Sequence, residues 1–168
     1  MYTTPSIADM VEGIIVSLNN DILPDLQSQK AQTCAVMMQT LLQCIAQLAP
    51  IQQQLMAAEH NEMTATLRDI AGIVGESSGA AAERVRQRAQ TLGARPDTAP
   101  IPAYEEIATD HRELSQSLIE TLDDLDELIR GGNSTGEAAL QRLRQHLGPR
   151  TLQEFGTFVI GQGMAGRG

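Results

Sequence analysis

Residues 104–130 read YEEIATDHRELSQSLIETLDDLDELIR. Within this stretch Tyr104, Ile107, His111, Leu114, Leu118, Leu122, Leu125 and Ile129 recur at spacings of three and four. That is the period of one helical face, so the spacing predicts an amphipathic helix over about 103–130. Pro102 stands where a first-turn proline belongs, and Glu105 and Glu106 suit the positive end of a helix. Gly131-Gly132 stops it. A helix of this length with a single apolar stripe needs neighbours to cover that stripe, and the flanking sequence offers helices rather than strands.

Working outward, Ser6 is placed to cap a helix in which Ile7, Met10, Val11, Ile14, Ile15, Leu18 and Ile22 share one side. Pro24 ends it or opens the next. The segment 25–48 carries two seams: Ala31, Ala35, Met38, Leu42, Ile45, Ala49, and beside it Cys34, Met37, Leu41, Cys44, Leu48. Two adjacent seams predict burial over a wide arc, either as the central helix of a bundle or at an oligomer interface. Its remaining face is rich in glutamine and, Lys30 apart, uncharged. Pro50 marks a turn, after which Met56, His60, Met63, Leu67, Ile70 and Val74 define a helix over 51–75, closed by Gly75. A shorter helix, 78–92, uses Ala82, Val85, Ala89 and Leu92. Pro96, Pro100 and Pro102 make 93–102 a linker. Ser134–Glu137 and Thr151–Glu154 read as capping boxes for two short helices separated by Gly148-Pro149. The expected fold is all-α. It is an up-down bundle of four main helices (6–23, 25–48, 51–75, 103–130) with short additional helices, forming one domain over 1–160, and a flexible glycine-rich tail at 161–168.

Composition excludes several functions. The chain has 168 residues, 42% of them hydrophobic, and a formal charge of -9. That is too apolar for disorder. Two Tyr, two Phe and no Trp leave no stacking platform for single-stranded nucleic acid, and the acidic balance opposes a phosphate-tracking surface. The charge is uneven: residues 104–130 hold nine acids and two bases, -7 of the total. No apolar run is long enough to span a membrane, and the first residues lack the basic and apolar regions of a secretory signal, so a cytoplasmic protein is expected. Cys34 and Cys44 on one helix stand roughly 15 Å apart, too far for a disulfide, and read as buried reduced thiols.

Few motifs carry chemistry. Gly161-Gln162-Gly163-Met164-Ala165-Gly166 matches a dinucleotide-binding pattern, but only Arg167 and Gly168 follow, where a helix is required. Phe155, Phe158, Val159 and Ile160 before it suit a docking role for the C-terminus. There is no nucleophile elbow and no P-loop. His60 and His111 both fall on apolar seams. Were their helices parallel, the two imidazoles would meet in one polar layer, with Glu59, Glu62, Asp110 and Glu113 near in sequence. That is material for a metal or small-ligand site in a bundle. The Glu-x-x-His spacing of di-iron bundles is absent, since Ala57 and Ala108 stand three residues before the histidines. A hydrogen-bonded core histidine is the plainer reading. Glu120, Asp123, Asp124, Asp126 and Glu127 form a solvated face or a docking face for a basic partner. Arg84, Arg86 and Arg88, the one cationic cluster, are placed to pair with that helix within the chain or across a dimer. No cofactor and no catalytic residue is expected.

The runs Ile7-Ala8-Asp9-Met10-Val11-Glu12, Asp21-Ile22-Leu23-Pro24-Asp25-Leu26 and Ala57-Ala58-Glu59-His60 resemble the start of a family of small all-helical bacterial proteins of unknown function. Members of that family are often encoded beside aminoglycoside-phosphotransferase-like kinases and acyl-CoA dehydrogenases. The resemblance covers about the first 75 residues and implies an accessory subunit rather than a stand-alone enzyme. It brings no site residues with it. The expected function is that of a non-catalytic interaction protein, a homodimer through the 25–48 helix. The alternative is a bundle holding a metal or small ligand near His60 and His111.

Overall fold

A computed structural model describes residues 5–159, with side chains through residue 149. The described residues form six α-helices and no strand: α1 (Ile7–Ser17), α2 (Gln29–Leu48), α3 (Gln52–Val74), α4 (Ala80–Thr91), α5 (Tyr104–Arg130) and α6 (Ser134–Val159). The chain divides into two compact units. One is Met1–Gln52 with Leu152–Gly168; the other is Gln53–Thr151.

In the first unit, Ser6 caps α1 as its sequence predicts. Its hydroxyl accepts from the Asp9 amide at 3.1 Å, and the Asp9 carboxylate accepts from the Ser6 amide at 3.0 Å. Two orphan amide groups at the helix end are thereby satisfied. After Ser17 the helix widens into a π turn, Leu18–Ile22, and then tightens into a 3-10 turn, Leu23–Asp25, that holds Pro24. Leu26 is extended and α2 begins only at Gln29. α1 and α2 pack on each other. Val11, Leu18, Ala35 and Cys44 are the buried apolar residues between positions 5 and 52.

The second unit is an up-down four-helix bundle, and its contacts give the directions. Gln53 reaches the Pro102 carbonyl, Glu59 reaches His111 and Ser115 reaches Met63, so α3 and α5 run parallel. Arg68 bonds the Gly93 carbonyl and Arg86 bonds the Gly75 carbonyl, which sets α4 antiparallel to α3. Asp69 meets Arg142 and Glu62 meets His146, which sets α6 antiparallel as well. The all-α bundle class expected from the sequence is present, but its membership differs: 51–75 and 103–130 take part as α3 and α5, whereas 6–23 and 25–48 belong to the other unit and α4 and α6 take their places. The short α4 takes a full place because Ala81, Ala82 and Val85 are small enough for close packing and are buried. From α6, Ala139 and Leu143 join the core, and Leu140 packs beside it half-buried. On α3, Met63, Leu67, Ile70 and Val74 are buried as its seam predicts, and Ala57, Thr64 and Thr66 widen the buried arc. Gly75 closes α3 at φ 54°, a left-handed turn that favours glycine.

Four local expectations change. The wide burial predicted for 25–48 is absent: Cys34 is exposed, and so are Met37, Met38, Leu41 and Ile45. Among the described residues, α1 is the helix against which α2 buries a face. In α5, Leu122 points outward and Thr121 inward. The strict 3.5 spacing drifts around a straight helix of 3.6 residues per turn, so the buried stripe passes to Thr121, Asp124 and Leu128. The cap of α6 is Asn133, whose side-chain Oδ1 accepts from the Thr135 amide at 3.0 Å, one residue before the expected capping box. The break at Gly148-Pro149 does not occur; α6 continues to Val159 with Pro149 inside it, so no cap forms at Thr151. Proline at that place removes one helical hydrogen bond without ending the helix. The linker 93–102 is tied down along its length, with the Thr98 amide donating to Asn61 at 2.8 Å. The tail at 161–168 and the docking role of Phe155, Phe158, Val159 and Ile160 lie outside the residues whose side chains are described.

Candidate functional site

Three features merit testing as sites: the acidic face of α5, the histidines of the bundle, and the outer side of the first unit. The acidic face is largely occupied from within the chain. α4 and α5 run antiparallel, so arginines four residues apart on α4 meet acids three and four apart on α5. Arg84 donates to Asp124 from Nε at 2.8 Å and to Glu127 from Nη2 at 2.7 Å. Arg88 donates to the other Asp124 oxygen at 2.5 Å and to Glu120 at 3.3 Å. Asp124 is buried, a carboxylate drawn into the helix interface by two guanidinium groups. Its hydrogen bond pushes the Arg84 guanidinium above its already high ordinary range. Asp126 pairs along its own helix with Arg130 at 2.6 Å. Of the five acids singled out by the sequence, Glu120, Asp124, Asp126 and Glu127 thus have cationic partners in the same chain. Asp123 is exposed. Arg86 turns the other way, to the Gly75 and Ser77 carbonyls that end α3, and to Glu83.

The histidines do share a layer. Because α3 and α5 are parallel, the pair Glu59-His60 lies level with the pair Asp110-His111, and they cross-bond. The Glu59 carboxylate meets His111 Nε2. His60 Nε2 lies 3.6 Å from Asp110, and its Nδ1 lies 3.2 Å from the Asn61 side chain. His60 is 2% exposed. Asp110 also accepts from Arg95 at 3.0 Å, and Arg95 reaches Glu113 at 2.5 Å. On the α6 side, the buried His146 lies 3.9 Å from Glu62. Each imidazole therefore faces a carboxylate on another helix. Among the described residues, no group of three or more His, Cys, Asp or Glu side chains is disposed to hold a metal ion. Arg95, a linker residue that no motif singles out, joins this layer through Asp110 and Glu113.

An open cleft of about 320 Å³ lies where α4 begins and α5 turns into α6. Gly79, Glu127, Gly132 and Asn133 are among its lining, and Glu127 is already held by Arg84.

The first unit offers the most unusual surface. On α1, Ile7, Met10 and Ile14, spaced 3-4, are 49–53% exposed. On α2, Met37, Met38, Leu41 and Ile45 are 48–55% exposed, and Cys34 is exposed with them. Cys34, Met38, Leu41 and Ile45 follow one another at 4-3-4, one continuous stripe on α2. This stripe takes members from both sequence seams, which is why neither seam alone revealed it. Residues 31–58 contain no charged side chain. Single exposed aliphatics are ordinary; a contiguous stripe in an uncharged segment is a candidate site for testing. Among the described residues, no single helix is long and apolar enough to cross a membrane. The chain matches no protein-family model, no curated protein and no solved structure.

Proposed function

We propose that the protein is a non-catalytic helical interaction protein, an accessory chain rather than a stand-alone enzyme. It recognises an apolar, uncharged helical surface through the outer face of its α1–α2 unit. The observation that carries this reading is the exposed α2 stripe of Cys34, Met38, Leu41 and Ile45, in a segment without charges. An apolar stripe at heptad-like spacing on a solvent-facing helix is the form that helix-against-helix recognition takes. The internal pairing of Glu120, Asp124, Asp126 and Glu127 turns attention away from the acidic helix as the docking face. The resemblance of the first 75 residues to small helical bacterial proteins encoded beside metabolic enzymes favours the same accessory role.

A photo-activated cross-linking residue placed at Leu41 tests the reading, with Arg144 on the second unit as the exposed control position. In the native host, a discrete adduct at Leu41 and none at Arg144 is expected. Equal labelling at both positions, or none at either, overturns it.

A further inference from the structure

We infer that the partner at the α2 stripe is a second copy of this chain, the two α2 helices pairing side by side about a two-fold axis. The inference rests on the interaction reading above and names its occupant.

Three observations select a copy of the same chain. The first is periodicity. Cys34, Met38, Leu41, Ile45 and the half-buried Leu48 are spaced 4-3-4-3, two heptads of an a/d seam. Such a seam packs against a helix that carries the same repeat, and an identical helix carries it by construction. The second is charge. A two-fold interface is isologous, so every charged side chain near the axis faces its own kind. Across residues 31–58 there are none, so no repulsion opposes self-pairing. The same lack of charge gives a charge-selected partner nothing to grip. Residues 5–52 carry four acids and one lysine, the wrong balance for an anionic membrane surface, which attracts Lys and Arg. The third is area. Seven aliphatic side chains, Ile7, Met10 and Ile14 on α1 and Met37, Met38, Leu41 and Ile45 on α2, stand about half exposed, and at roughly 80–100 Å² each they hold on the order of 600 Å². A standard interface takes about 800 Å² from each partner. A two-helix pair that buries little of its own apolar surface gains a second layer by this pairing, in the manner of a four-helix bundle.

Light scattering of the full chain tests the inference. A mass near twice 18.1 kDa is expected at micromolar concentration. Met38→Glu with Leu41→Glu is expected to give the monomer mass, with far-UV circular dichroism unchanged because both side chains already face solvent. Should the glutamates lower helix content, Met38→Gln with Leu41→Gln carries the test. The Cys34 thiol gives an independent readout: its maleimide labelling is expected to slow at least ten-fold as concentration rises through the association range. A wild-type mass of one chain at 100 µM overturns the inference, as does a dimer that survives both double variants. The cross-link at Leu41 separates the two readings. An adduct of other than twice the chain mass, from a protein that is monomeric alone, ends the second-copy assignment and leaves the interaction reading standing. A monomer with no adduct ends both.

Discussion

Replacing Asp124 removes the only buried carboxylate on the inner face of α5, and its cost follows from its partners. One oxygen accepts from Arg84 at 2.8 Å and 2.6 Å, and the other accepts from Arg88 at 2.5 Å. A hydrogen bond to a charged group contributes roughly 1.5–3 kcal/mol net. The Arg84 side chain is 44% exposed, so solvent screens its share strongly; Arg88 is 16% exposed and keeps most of its share. Asp124→Ala also leaves Arg88 with the 3.3 Å contact to Glu120 as its ion pair. Taken together, the loss is about 3 kcal/mol, at the low end for breaking a buried pair. For a bundle of this size each kcal/mol shifts Tm by roughly 4–8 °C, so the melting transition followed by circular dichroism falls by about 12–24 °C. Asp123→Ala, one residue away and exposed, is the control and changes stability by less than about 0.5 kcal/mol. A double-mutant cycle with Arg88→Met returns a coupling energy above about 1 kcal/mol. Equal effects at 123 and 124, or no coupling to Arg88, refute the view that the acidic helix is held by α4. They would also return Asp124 to the pool of residues available to a basic partner.

Three further outcomes are expected. Gly136→Ala destabilises the bundle by about 1–3 kcal/mol in chemical denaturation. An added Cβ there meets Ile129 Cγ1 at 2.9 Å and the Ile129 amide nitrogen at 3.2 Å, so an unchanged midpoint would contradict the close approach of α6 to the end of α5. The Ser6 hydroxyl and then the Ser6 amide hold the Asp9 carboxyl below its ordinary 3.8. A lowered carboxyl pKa means the cap contributes fully above the ordinary carboxylate range and is lost as pH falls through the lowered value. Carbon-detected titration therefore gives an Asp9 midpoint below 3.8 that rises in Ser6→Ala; a midpoint at or above 3.8 in the native chain removes the capping box. His60→Ala lowers stability by about 2–4 kcal/mol, because it opens a cavity and strips the Asp110 and Asn61 side chains of a buried partner. His111→Ala costs less, its side chain being 18% exposed. If the histidines are structural, chelators leave the native Tm unchanged; a Tm that drops with chelator and recovers with zinc would show that they hold a metal.

Much of the fold was legible because helical period is a local property. The α5 seam at Ile107, Leu114, Leu118 and Leu125, the α3 seam from His60 to Val74 and the stops at Gly75 and Gly131 all follow from residues within a few turns of one another. The shared level of His60 and His111 was legible too, once the two helices were taken as parallel, although each imidazole faces a carboxylate rather than the other imidazole. What the local pattern misjudged depends on neighbours. Periodicity shows that α2 has an apolar side, yet it does not show whether another helix covers that side. Composition marks 104–130 as strongly acidic, but only antiparallel packing of α4 brings Arg84 and Arg88 against Asp124 and turns a solvated charge into a buried one. Pro149 ordinarily ends a helix, and here it does not.

The all-α class, the positions of most helices, the cap at Ser6 and the placement of the histidines on apolar faces follow from the order of the residues alone. Each of these is set by spacing and by side-chain chemistry over one to three turns. The tertiary structure decided which four helices share a core, which acids are held by arginines, and which apolar stripe remains exposed. Those outcomes depend on contacts between residues far apart in the chain, Arg88 with Glu120 and Asp124 or Glu62 with His146 among them, and the free energy of burying a side chain is set by what stands opposite it.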